Sequence, residues 1–383
     1  MEHVNTYNAE PVMRRFGLAA LVVVSVAAPA VPAQDSHATK PKKPPVSTAP
    51  WPEDEVLLAR RTDAENRKLF QDGPPVEFRL TSQFNLINKE RTPNNSKEFP
   101  GVLTVAGTDI PVRLSSRGHL RLNVRTCEFV PIKVVFPRKE LEGTIFEGQT
   151  TLKLGTHCRD DADFDQYVVR EYLAYRLANL VTPFSFRARL ARGTYVDAGT
   201  RKPLATRSAL YLEHEADVAR RLSGREVRVP HMIFKDFDQD ALTTMMILEY
   251  MLGNTDYSIW ALHNVVVVQD KKRRFYPVPY DFDLSGMVHA PYAAPDERLP
   301  LRSVTDRLYR GPCRSADEFN AAAEPFRAHK ADMMAAIDSA TELNRVHKSE
   351  MKEYLDSFFR RIATPQSIKR TFVDGCSAAR ARI

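Results

Sequence analysis

From residue 76 the chain runs in short segments in which apolar and polar residues alternate. VEFRLTS (76–82), GVLTVAG (101–107), IPVRLSS (110–116), PIKVVF (131–136) and TLKLGT (151–156) keep a period of two or are β-branched, and they predict strands. The period changes at 163–180. There Val169, Leu173, Leu177 and Leu180 recur at helical spacing behind an acidic start. Strand-like sequence returns at 184–197 and 206–215. Residues 240–254 (DALTTMMILEYMLGN) predict a long apolar helix. Residues 263–268 and 274–283 predict a hairpin turning at Asp270-Lys271-Lys272, and the pattern beyond Ser315 is helical to near the end.

Strands, a helix, strands, helices, a hairpin and more helices make an α+β chain. The boundaries expected are a β-rich amino-terminal lobe with one helix over 73–238, and a helical carboxy-terminal lobe carrying the hairpin over 239–383. Two such lobes leave a cleft between them, where ligand sites tend to lie.

The first 72 residues have a different character. Arg14 and Arg15 precede an apolar run that ends in Val31-Pro32-Ala33, the pattern of a signal peptide over 1–33, with Met13 as the expected start. The alternative is an amino-terminal membrane anchor. Residues 34–72 read as a Pro-rich, disordered tether. The expected location is therefore secreted or periplasmic, with no stable membrane span after cleavage.

Composition narrows the functional classes. The 383 residues carry 55 Lys+Arg against 48 Asp+Glu, a net charge of +7 that partly sits in the signal and tether, so no nucleic-acid partner is expected. Export makes the four cysteines, Cys127, Cys158, Cys313 and Cys376, eligible for disulfides, and three pairings are open. Only 15 residues are glycine, against an average usage of roughly 7%. A nucleotide site built on a Gly-rich loop is thus disfavoured.

Two polar segments stand out against apolar surroundings. Gly253-Asn254-Thr255-Asp256, leading to His263-Asn264, follows the long apolar helix. Tyr280-Asp281-Phe282-Asp283 ends the hairpin. Carboxylates among apolar groups are costly unless paired or bound to a cation. Strand alternation would put Asp281 and Asp283 on one face, with oxygen ligands suited to Mg²⁺ or Mn²⁺. Asp256, Asn264 and Asp281 form the set that kinase-type phosphotransferases use: one Asp to orient a hydroxyl, and an Asn and a second Asp on the metal. Alone, the first motif is a turn or cap more often than not, and the second is a turn about as often as a metal site. His263 reads as a packed or hydrogen-bonded histidine, and His157 as a core residue or disulfide neighbour.

These motifs, with RLSSRGHLRLN, PIKVVF and FEGQTTLKLGTHC upstream, resemble the CotH kinase-like family over roughly residues 76 to 310. The resemblance implies an atypical protein-kinase-like, two-lobed fold binding ATP with Mg²⁺ or Mn²⁺. It implies Asp256 as the catalytic Asp, and Asn264, Asp281 and Asp283 as metal-binding residues. Glu171 would pair a phosphate-binding lysine, either Lys153 or Lys133. No G-x-G-x-x-G precedes the first strands, a departure from that pattern, and Ser115, Ser116, Arg117 and Gly118 form the turn whose donors would serve as the phosphate lid. The substrate implied is a Ser or Thr hydroxyl of an envelope or secreted protein. The alternative is a catalytically inactive scaffold or binding protein with a structural cation. Asp256 and Asn264 stand eight positions apart, so the loop between them has to bulge.

Overall fold

The structure is a computed structural model that describes residues 49–91, 97–137, 140–374 and 376. The expected signal peptide and the first part of the tether lie outside these residues. The later part of the tether is folded. Helix α1 (Asp54–Glu65) buries Leu57 and Ala64, and a short turn, Lys68–Phe70, buries Leu69 and Phe70. Ion pairs hold this segment: Arg67 reaches Asp217 at 3.5 Å, and Lys271 reaches Asp54 at 2.8 Å.

Seven strands form a closed barrel: β1 (Val76–Ser82), β2 (Phe99–Val105), β3 (Thr108–Ser116), β4 (Ile132–Val135), β5 (Thr151–Gly155), β6 (Ala188–Asp197) and β7 (Pro203–Leu212). Around the ring the order is β1-β2-β3-β4-β5-β7-β6, and the parallel pairing of β1 with β6 closes it. In β1 the alternation of the sequence is the alternation of burial, with Val76, Phe78 and Leu80 inside. Gly193 on β6 leaves room for the Phe78 ring, since a Cβ there would come within 2.2 Å of it. A closed barrel is not the usual amino-terminal lobe of a kinase, so the lobe differs from the kinase-like one expected. Between β1 and β2 lies a short helix, α2 (Phe84–Lys89).

Helix α3 (Asp163–Val181) packs into a second core, separate from the barrel interior. After α4 (Glu215–Arg221), strand β8 (Arg225–Val227) joins β9 (Val265–Gln269) and β10 (Phe275–Pro279) in a three-stranded antiparallel sheet. The expected first lobe thus contributes a strand to the sheet of the second. Helix α5 (Gln239–Leu252) begins at Asp238, whose side chain accepts from Ala241 N–H, and stops at Gly253 in the left-handed region. Helices α6 (Ala316–Ala328), α7 (Lys330–Ser339), α8 (Arg345–Ile362) and α9 (Pro365–Ile368) complete the second core.

The buried Arg170 of α3 ties these parts together. It donates to Met287 O at 3.0 Å and to Glu350 of α8 at 2.7 Å. The disulfides join Cys127 to Cys158 and Cys313 to Cys376. His157 stacks on Phe129 in the barrel core, beside the first of them. Among the described residues no helix is long and apolar enough to cross a membrane.

Candidate active site

The barrel rim and the ends of α5 and β10 enclose a cavity of about 500 Å³. One wall is basic and comes from the barrel side: Arg117, His119 and Arg121 after β3, and Lys153 on β5. The other carries Asp256, Asn264, Asp281 and Asp283. Asp256 and Asp281, 25 positions apart in the sequence, therefore meet in one space.

Local structure explains the placement. Gly253, at φ 65°, turns the chain out of α5, and Asn254 N–H closes the helix on Glu249 O at 2.9 Å. The Asn254 side chain then accepts from Asp256 N–H at 3.1 Å. Arg310, buried, donates to the carbonyls of Thr255 and Tyr257 on either side of Asp256. The loop to Asn264 bulges as its length requires, and Ser258 and His263 close it with two backbone bonds of 2.9 Å. Asn264 Nδ2 donates to Asp256 Oδ2 at 3.0 Å, and His263 Nε2 lies 3.0 Å from Oδ1. That hydrogen bond raises the His263 pKa against the effect of burial.

Asp281 and Asp283 reach the cavity by a different route from the one expected. Strand β10 ends at Pro279, and Asp281 has φ 67°, so strand alternation does not align the two. Asp281 is held from behind, its N–H donating to the buried Tyr175 hydroxyl at 2.8 Å. Tyr292 donates to Asp283 at 3.1 Å. Burial, then Asp281, pushes the Asp283 carboxyl up to about 7. Glu171 on α3 is buried behind them, and burial with Asp283 and Asp281 lifts it well above the usual carboxylate range. Burial opposes the charge of Arg121, but Tyr292, Asp283, Glu171 and Asp281 outweigh it and keep the pKa raised.

The expected pairing of Glu171 with a lysine is not formed. Lys153 pairs instead with Glu215, the first residue of α4, at 2.7 Å, and its ammonium lies 3.9 Å from the Tyr280 ring centre. Burial lowers the Lys153 pKa, partly offset by Glu215. Burial works against the Glu215 charge as well, yet Lys153 brings that carboxyl down to about 2. Lys133 sits opposite Lys153 in the β4–β5 register but lies outside the main cavity, 3.7 Å from Glu98. With Arg117 and Lys153 it lines a smaller pocket of about 170 Å³. Ser116 is buried, its hydroxyl has no hydrogen-bond partner, and it does not line the main cavity. Sequence reasoning missed Glu215, Arg121 and Tyr292, since a Glu opening a short helix, an Arg in a turn and a lone Tyr carry no local signal.

The donor chemistry fits a hard divalent cation. Asp281 and Asp283 offer carboxylate oxygens, and Asn264, whose nitrogen faces Asp256, offers an amide oxygen. Among the described residues no three His, Cys, Asp or Glu are grouped closely enough to hold a metal ion. Two carboxylates and an amide match the sparse protein ligation of Mg²⁺, which relies on water and substrate phosphates for its other ligands.

No protein-family model matches the chain, and no curated protein matches it. Among solved structures the chain is similar to a Helicobacter pylori proinflammatory kinase, CtkA, at 10% identity and a TM-score of 0.36, over 64% of this chain and 91% of that one. That likeness does not single out the CotH kinase-like family.

Proposed function

We propose that this protein is an exported, kinase-like phosphotransferase. It moves the terminal phosphoryl group of ATP, with Mg²⁺ or Mn²⁺, to a Ser or Thr hydroxyl of an envelope or secreted protein. The observation that carries the reading is one cavity with Lys153 and Arg117 on one wall and Asp256, Asn264, Asp281 and Asp283 on the other. Lys153 and Arg117 bind phosphate oxygens. Asn264, Asp281 and Asp283 hold the cation, which when bound neutralises developing charge. Asp256 orients the acceptor hydroxyl. The new bond joins the acceptor oxygen to the terminal phosphorus, and the bond from that phosphorus to the bridging oxygen breaks. ADP leaves and the hydroxyl proton passes to Asp256. Catalysis comes from positioning and charge stabilisation.

The test is ATP-dependent labelling of a Ser/Thr peptide pool, or self-labelling, by purified mature protein with Mn²⁺. Labelling that survives Asp256→Ala and Asp281→Ala equally well rejects the reading. A second, non-catalytic reading has one observation in its favour: both Asp256 oxygens already have partners in Asn264 and His263. In that case metal alone stabilises the fold and ATP adds nothing.

A further inference from the structure

The loop between Asp256 and Asn264 brings a second donor to the Asp256 carboxylate. His263 Nε2 stands 3.0 Å from Oδ1 and Asn264 Nδ2 stands 3.0 Å from Oδ2. Two successive residues therefore hold the two oxygens of one group. A carboxylate held at one oxygen can still swing about its broad terminal torsion, whereas one held at both has its plane set.

The backbone under the donors is itself fixed. Ser258 and His263 exchange two bonds of 2.9 Å, and Tyr280 N–H donates to Asn264 O at 3.0 Å. Asn264 Nδ2 also donates to the Asp256 carbonyl at 2.7 Å. Leu262 and Asn264 have φ of 51° and 54°, left-handed values that non-glycine residues adopt at a cost. Such strain persists only where the surroundings over-determine it.

We infer that His263 is a positioning residue for Asp256. It fixes the carboxylate plane toward the cavity, and the separation of eight residues between Asp256 and Asn264 is what sets His263 and Asn264 side by side on that group. The assignment rests on the phosphotransferase reading above. His263 touches no reacting atom in this role and takes no proton. Its loss therefore acts on turnover, not on binding: a displacement of about 1 Å near reacting groups costs about 100-fold.

The test compares wild type, His263→Ala, His263→Phe and His263→Gln in ATP-dependent transfer to a Ser/Thr peptide pool with Mn²⁺, with thermal unfolding measured alongside. Gln keeps an N–H donor at about the reach of Nε2, and Ala and Phe do not. The expected result for Ala and Phe is kcat lowered about 10- to 100-fold with KM for ATP within about twofold. Gln restores most of the turnover, and all variants melt with the wild type. Using both Ala and Phe keeps the comparison intact if one of them fails to fold. Active wild type with unaffected donor-less variants overturns this assignment alone. So does an equal loss in Gln, or a loss that follows KM or melting temperature. Wild type as silent as Asp256→Asn overturns the phosphotransferase reading and this assignment with it.

Discussion

Lys153 on β5 is bound to Glu215 at the head of α4, 2.7 Å away, while Glu171 lies buried among carboxylates. The basic wall of the cavity is thus braced by the helix that follows the barrel, not by the helix inside the second core. Burial already works against the Lys153 charge, so removing its counter-ion weakens it further. On the proposed phosphotransferase reading, ATP with Mn²⁺ should raise the melting temperature, and Lys153→Met should abolish that shift. Glu215→Gln should weaken apparent ATP affinity about tenfold, in line with the strength of a charge-assisted hydrogen bond. A Glu171→Gln variant that reproduces the Lys153→Met loss while Glu215→Gln does not would reverse this assignment.

Glu249, buried on α5 behind Asn254, has its carboxyl pushed up by burial to about 8. The ordinary value is near 4.5, so between the two the native form keeps a proton that the unfolded form gives up. The stabilisation is full below about 4.5 and is lost as pH rises to about 8. Glu249→Gln should flatten this slope, by an amount on the order of a few kcal/mol across the window. Urea unfolding of both proteins at several pH values measures it, and parallel slopes would reject it.

Gly253 is in the left-handed region at φ 65°, and a Cβ there would come within 2.0 Å of the Tyr354 hydroxyl. Gly253→Ala should cost about 2–4 kcal/mol, of which about 1–2 is backbone strain. Adding Tyr354→Phe should recover the steric part and leave the strain. Full recovery in the double variant, measured by denaturant unfolding, would show that the backbone contributes nothing.

The two disulfides close loops of 31 and 63 residues in sequence separation. Each should be worth about 2–4 kcal/mol. Their effects on the site should differ. Cys127–Cys158 clamps the segment after β3, which carries Arg117 and Arg121, to the segment after β5. Replacing this pair with Ser should reduce the ATP-dependent thermal shift, whereas replacing Cys313 and Cys376 should lower stability and leave the shift in place. Equal effects on the shift would contradict the clamp.

Strands were legible because their periods report one buried face. VEFRLTS shows this in β1, whereas DALTTMMILEYMLGN is legible as a long apolar run, because α5 is buried nearly all round. Barrel closure was not legible, because it depends on β1 meeting β6 more than 100 residues later with no local mark of that pairing. Helix α1 has a tether-like sequence because only Leu57 and Ala64 of its residues are buried, and long-range ion pairs hold its surroundings. Asp256, Asn264 and Asp281 stood out as polar residues at the ends of apolar runs. Lys133 and Lys153 could not be separated, since both occupy strand positions that face each other across one ladder, and only the rim geometry tells them apart.

Barrel closure also constrains motion. An open sheet can splay or shear strand by strand, but a closed ring resists both. Lys153 stands on that ring, and Arg117 and Arg121 follow its strand β3, so the ring holds the spacing of the basic wall as a hoop holds staves.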